Sequence, residues 1–132
     1  MNKQLSQLGD IIYLGKVAEL QTISVDANYV TIGAAVSLNK AYRTLIDYYP
    51  QLDELWQRFA SVPIRNAGTL GGNIANGSPI GDSMPWLIAV GARVVLRSQH
   101  RLRTLALEAF YLDYMKHALQ ADEILAAIEI PL

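Results

Sequence analysis

Cysteine is absent from the 132 residues, which excludes disulfides, thiolate nucleophiles and cysteine-held zinc or iron–sulfur sites within the chain. Any redox metal has to come from a partner. An excess of one charge is also lacking: 11 Lys and Arg face 12 Asp and Glu, for a formal net charge of −1. With no basic cluster and no global field to draw a polyanion, nucleic-acid binding is not expected. Long apolar runs are missing. The stretch from Trp86 to Val90 falls far short of the ~20 residues a spanning helix needs. The N-terminus has no basic, apolar, small-residue signal layout. No membrane association and a cytoplasmic setting follow as expectations. Histidine is scarce. His100 sits in a polar turn and His117 in a polar, helix-like patch, far apart in sequence, so neither a metal site nor a catalytic base is expected from them. No nucleophile and base can be paired, and no catalytic residue is assigned.

Hydrophobic residues make up 52% and charged residues 17%, enough to build one core at this length. Alternation predicts strands at Ile11 to Leu14, Leu20 to Ser24 and Tyr29 to Val36, the last two joined as a hairpin through Asp26, Ala27 and Asn28. Ser37 then precedes Leu38, Ala41, Leu45 and Tyr49 at helical spacing, and Leu52, Leu55, Trp56 and Phe59 form a second helical pattern. Trp86 to Val90 reads as a short helix, Arg93 to Arg97 and Arg101 to Leu105 as paired strands, Tyr111 to Leu119 as a third helix, and Ile124 to Ile130 as a closing strand. The fold class is α+β, with a mixed or antiparallel sheet and flanking helices.

Between Pro63 and Pro85 the composition changes to five Gly, three Pro and three Asn in 23 positions, which reads as a long irregular segment. Its middle, Asn66 to Asp82, runs NAGTLGGNIANGSPIGD. Glycines at 68, 71, 72 and 77 let backbone come close to a ligand and leave N–H groups free to converge on it. Asn73 and Asn76 both donate and accept, Thr69 and Ser78 carry hydroxyls, and Asp82 offers an acceptor for a ribose or a helix cap. A nucleotide with many polar edges suits this set. A plain Gly/Asn/Ser turn suits the composition as well, and the segment matches neither a P-loop nor Gly-x-Gly-x-x-Gly.

The string Arg65 to Ile74, followed by Ser78 to Asp82 and Pro85, resembles the FAD-contacting loop of the molybdenum hydroxylase flavoproteins, a family that includes xanthine and carbon monoxide dehydrogenases. Ile32, Gly33 and Ala34 resemble the strand before that family's first helix. Asp122 to Leu125 with Ile128 to Pro131 resembles its closing strand. The resemblance implies the second subdomain of a two-lobed, PCMH-type FAD-binding domain. The diphosphate-binding lobe is then expected upstream of Met1, with a further lobe after Leu132. FAD is the implied cofactor. The implied partners are that upstream lobe, domains or subunits holding [2Fe-2S] clusters and molybdopterin, and NAD as electron acceptor. Carried over position by position, Phe59 and Ala60 line the adenine side, and Thr69, Gly72 and Asn73 make contacts to the cofactor. Ala75, Asn76 and Ser78 continue the contacts, Asp82 meets the adenosine ribose, and Leu125 packs near the flavin ring. Gly9 to Leu14 resembles the purine-type enzymes more than the carbon monoxide ones. Two other readings stand beside this one: a noncatalytic interaction domain that docks through the helical faces around Leu45 and Leu55, and a vanillyl-alcohol-oxidase-like flavoprotein, which would tether flavin through His or Cys.

Overall fold

Val30 and Ile32 alternate with the less buried Tyr29 and Thr31 along Tyr29–Gly33, while Arg93–Arg97 buries Val94, Val95 and Leu96 between two arginines, and both segments find their partner in the last strand of the chain. A computed structural model describes residues 9–132. Its main sheet runs β1 (Ile23–Val25), β2 (Tyr29–Gly33), β7 (Ile124–Pro131), β3 (Arg93–Arg97) and β4 (Leu102–Ala106), in that spatial order and antiparallel throughout. The strand nearest the C-terminus therefore sits in the middle. The β1–β2 hairpin is closed by Asp26, whose carboxylate accepts from the amides of Asn28 (2.7 Å) and Tyr29 (2.9 Å), an Asx turn of the kind that residue favours.

β7 carries a bulge that decides which way its first residues face. Val95 pairs with Ala127, but the next residue, Leu96, pairs with Leu125, so Ala126 is left over. Strict alternation would put Leu125 and Ile128 on opposite faces. The extra residue resets the register, and Leu125, Ile128 and Ile130 all join one buried cluster with Val30, Ile32, Val94 and Leu96.

Helices complete that core. α1 (Leu38–Ile46) starts at Ser37, whose hydroxyl accepts from the Lys40 amide, and buries Leu38, Ala41, Tyr42 and Leu45. α2 (Leu52–Arg58) buries Leu52 and Trp56. Tyr42 stacks on Trp56 at 4.7 Å and meets Phe59 at 5.1 Å. Its hydroxyl bonds the Ser83 hydroxyl at 3.0 Å and accepts from Trp86 Nε1 at 2.9 Å, and burial pushes the Tyr42 phenol above its ordinary pKa. Both tryptophans thus belong to the core.

Four expectations need correction. Ile11 to Leu14 is not a strand: it pairs with no described strand, and the chain instead makes 3₁₀ turns at Leu14–Lys16 and Ala18–Gln21. Backbone from Leu20 to Thr22 lies directly on the end of β2, where Gly33 donates to the Thr22 carbonyl (2.9 Å) and Ala35 to that of Leu20 (2.8 Å). The glycine-rich segment is not irregular, for it holds α3 (Val62–Ala67) and α4 (Leu70–Asn76). The short helix at Trp86 begins earlier, as α5 (Ser83–Ala89). Tyr111 to Leu119 is not a helix. A single turn, α6 (Leu107–Phe110), precedes a small hairpin of β5 (Tyr111–Asp113) and β6 (Lys116–His117), which turns at Met115 with φ +55°. The Tyr111 hydroxyl donates to the Ile74 carbonyl at 3.0 Å, so tertiary contact, not local periodicity, selects the hairpin.

Candidate functional site

α4 is short and half glycine and asparagine, a composition with poor intrinsic helicity. Packing holds it: Leu70, Gly71 and Ile74 are buried against the sheet. Thr69 caps it, its Oγ1 accepting from the Gly72 amide at 3.0 Å, worth about 1 kcal/mol. Gly77, at φ +58°, ends it in the left-handed region. Gly71 permits the close approach. A Cβ there would sit 2.5 Å from the Ala34 Cβ and 2.7 Å from the Ala34 carbonyl oxygen.

The first-turn amides of α4 are all taken. Leu70 donates to the Val36 carbonyl (3.0 Å), Gly71 to that of Ala34 (3.1 Å) and Asn73 to that of Thr69 (2.9 Å), while Gly72 bonds the cap hydroxyl. Gly68 and Gly77 likewise donate to Ile64 and Ile74. The glycines therefore do not present a nest of free N–H groups, as the composition suggested. They serve close packing and a helix stop, and of the four only Gly72 is exposed.

A cleft of about 570 Å³ opens beside this helix, within the range of small-molecule sites. Thr69, Gly71, Gly72 and Ala75 form one wall, and Glu123, Ile124 and Leu125, at the bulged start of β7, form another. Ala34 and Ala35, Tyr13 and Leu14 from the N-terminal turn and His117 from β6 complete the lining. The lining is mostly apolar, with Thr69, Tyr13, His117 and Glu123 as its polar side chains.

Glu123 braces this wall. Its side chain is 1% exposed and forms a bidentate pair with Arg103, Nε at 2.8 Å and Nη2 at 2.7 Å. The Gln120 amide donates to it at 3.0 Å, and Arg101 Nη2 lies 3.3 Å away. The Arg103 hydrogen bonds outweigh burial and hold the Glu123 carboxyl down at about 2. Arg103 also donates to the Ala118 carbonyl at 2.6 Å, so one ion pair fixes the turn that leads from β6 into Leu125.

The ten residues singled out from the sequence divide into groups. Thr69, Gly72, Ala75 and Leu125 come together on the cleft. Asn73 and Asn76, one position on, occupy the next face of α4. The Asn73 Oδ1 is buried without a hydrogen-bond partner, an orphaned acceptor that invites a donor from a ligand. Ser78 and Asp82 follow in the turn into α5. Asp82 stands at the N-cap position but makes no capping hydrogen bond, so its carboxylate is not committed to the helix. Phe59 is packed with Tyr42 and Trp56. Ala60 beside it is held at φ +43°, a conformation costing roughly 1 kcal/mol for a residue with a Cβ. Tyr13 and Glu123 carry no site signal in the sequence, and His117, which the sequence offers neither as a metal ligand nor as a base, reaches the cleft because its segment forms a hairpin. Among the described residues no group of three or more His, Asp or Glu is placed to hold a metal.

The chain is similar to known proteins over its whole length. Residues 1–132 match the family model described as "FAD binding domain in molybdopterin dehydrogenase". The chain is 28% identical over 137 residues to the beta subunit of caffeine dehydrogenase from Pseudomonas sp. (strain CBB1), covering 99% of this chain and 45% of that subunit. It is 33% identical over 130 residues to xanthine dehydrogenase/oxidase from Gallus gallus, covering 87% of this chain and 9% of that protein. A crystal structure of the Cu,Mo-CO dehydrogenase in its cyanide-inactivated form superposes with a TM-score of 0.91 at 28% identity, over 100% of this chain and 47% of that one. The chain thus spans less than half the length of these relatives. It belongs to the family of FAD-binding domains of molybdopterin dehydrogenases, an antiparallel α+β unit of the PCMH type.

Proposed function

We propose that this chain is the second lobe of the FAD-binding domain of a xanthine-dehydrogenase-like molybdenum hydroxylase, in which FAD passes electrons from [2Fe-2S] clusters to NAD. The observation that carries the reading is the cleft, where α4 and β7 bring Thr69, Gly72, Ala75 and Leu125 onto one surface. These four residues are among those that the sequence resemblance assigns to the cofactor, and they are separated by up to 56 positions in sequence. Thr69 and the exposed backbone of Gly72 meet the polar part of the cofactor, Ala75 and Leu125 supply apolar contact to its ring, and the orphaned Asn73 Oδ1 accepts from it. Asn76, Ser78 and the uncommitted Asp82 take the adenosine end, with Phe59 and Ala60 on its adenine side. FAD supplies the hydride and electron chemistry when bound, and the chain supplies orientation and exclusion of water.

The remaining parts follow from that assignment: a diphosphate-binding lobe, domains or subunits with [2Fe-2S] clusters and molybdopterin, and a cytoplasmic location. No helix among the described residues is long and apolar enough to cross a membrane. The reading as a docking module loses its surface, because Leu45 is fully buried and Leu55 packs against the core. The test is flavin retention. Asn73→Ala in the full-length protein is expected to lower bound FAD per chain while leaving the circular dichroism unchanged; undiminished flavin content would remove Asn73 from the site.

A further inference from the structure

Arg65 lies in α3, outside the ten residues given a part in the site, and its side chain turns back on α2. Nη1 donates to the Trp56 carbonyl at 3.0 Å, and the guanidinium carbon lies 4.5 Å from the centroid of the Trp56 ring. The same carbonyl accepts from the Phe59 amide at 3.2 Å, and the Arg65 amide donates to the Ser61 carbonyl at 2.9 Å. One residue therefore grips the chain on both sides of Ala60, by its side chain before it and by its backbone after it. Between those grips Ala60 is held at φ +43°, a left-handed conformation unfavourable for a residue with a Cβ. Phe59 is buried against Tyr42 and Trp56, while Ala60 and Ser61 are exposed, so the turn has an anchored side and an open side.

We propose that Arg65 is a positioning residue that holds the Phe59–Ala60 turn in the shape that receives adenine, and so sets the preference of the site for an adenine dinucleotide over a flavin mononucleotide. This rests on the reading of Phe59 and Ala60 as the adenine side of a flavin site. Two local penalties meet at the turn: the left-handed alanine, and the Arg65 Nε, which is buried without a hydrogen-bond partner. Neither adds to stability, and such features persist where surrounding contacts over-determine them, a pattern concentrated at ligand clamps. A planar guanidinium suits the task, because it can lie over an indole and donate to a carbonyl at once, whereas an ammonium is a single point charge. Ser61, at the N-cap of α3, makes no capping hydrogen bond with its side chain, which leaves the fastening of the turn to Arg65 and the buried Phe59 ring.

The measurement is calorimetric titration of the deflavinated full-length protein with FAD, ADP and FMN, for the wild type, Arg65→Met and Arg65→Lys. Arg65→Met keeps a long side chain beside Trp56 but no donor, and should bind FAD and ADP about tenfold more weakly, the scale of one hydrogen bond to a charged group. FMN should be bound alike by wild type and variant, or by neither. Arg65→Lys, the milder change, retains a cation and a donor and should shift FAD and ADP the same way by a smaller factor. Unchanged FAD and ADP affinities in both variants would overturn the role of Arg65, and so would an equal weakening of FMN, the mark of a site loosened as a whole. FAD binding by the wild type with no binding of ADP would take adenine away from the turn and sink the proposal while leaving the cleft reading standing. Absence of FAD binding by the wild type would overturn the cleft reading itself, and the proposal with it.

Discussion

Replacing Gly71 by alanine sets helix propensity against close packing, and the structure says which prevails. In an exposed helix the change would add about 1 kcal/mol of stability. Here the new Cβ would lie 2.5 Å from the Ala34 Cβ, and 2.7 Å from both the Ala34 Cα and its carbonyl oxygen. Two of those atoms are backbone, and Ala34 is itself tied to β7 by the hydrogen bond its amide donates to the Ala126 carbonyl at 2.9 Å. The strain cannot be relieved by a rotamer change. α4 has to move away, at an overpacking cost of roughly 1–3 kcal/mol and with loss of the Gly71–Ala34 hydrogen bond, about 1 kcal/mol more. The net expectation is a loss of about 2 kcal/mol, or very roughly 8 °C in Tm for a domain of this size. Gly72→Ala is the control. Its Cβ meets only the Thr69 hydroxyl, at 2.8 Å, so the weakened cap of about 1 kcal/mol is offset by the gain in propensity, and stability should change by less than about 0.5 kcal/mol. Because Gly72 faces the cleft, FAD affinity should fall in that variant all the same. Urea denaturation of both variants, with the slope checked for constancy, decides the matter. Equal stability of Gly71→Ala and wild type would refute the close-packing argument.

Two further outcomes follow from the polar groups of the core. Glu123 titrates at about 2 in the folded chain, below its ordinary 4.5, so its contribution is fully present above pH 4.5 and is lost as pH falls toward 2. Glu123→Gln should therefore lower stability at neutral pH and flatten the acid limb of the stability profile between those values; parallel profiles for the two proteins would count against the ion pair as the brace of the cleft. Tyr42→Phe removes the hydroxyl shared by Ser83 and Trp86 Nε1, leaving polar groups unpaired at a cost of about 1–3 kcal/mol. Thermal unfolding measures it, and Ser83→Ala in the same background should recover part of the loss.

Much of the frame was legible because local chemistry and tertiary demand agree. Ser37 caps the helix it precedes, Asp26 closes the hairpin it begins, and the apolar run Val94 to Leu96 becomes the buried middle of its strand. Glycine content hid α3 and α4, since helices of six and seven residues complete too few turns to show a 3.6-residue repeat and owe their stability to packing. Tyr111 to Leu119 misled in the opposite sense: its apolar residues fall at helical intervals, yet Leu112 and Tyr114 point to solvent while Tyr111 is fastened to α4.

The sequence by itself determined the class of the fold and the family, because the order of residues around Asn66 to Asp82 is specific and survives without coordinates. It also made plain that no metal site could be built from cysteine. Only the tertiary structure decided what each glycine does, which residues share the cleft, and that His117 is one of them. The reason is physical. Whether an amide is free, a Cβ position is filled or an imidazole lines a cleft depends on neighbours brought in by the fold, such as Ala34 against Gly71 and Phe110 against His117. The bulge at Ala126 shows the same dependence, for one unpaired residue in a ladder turns Leu125 toward the site, and nothing in the local sequence announces where pairing will slip.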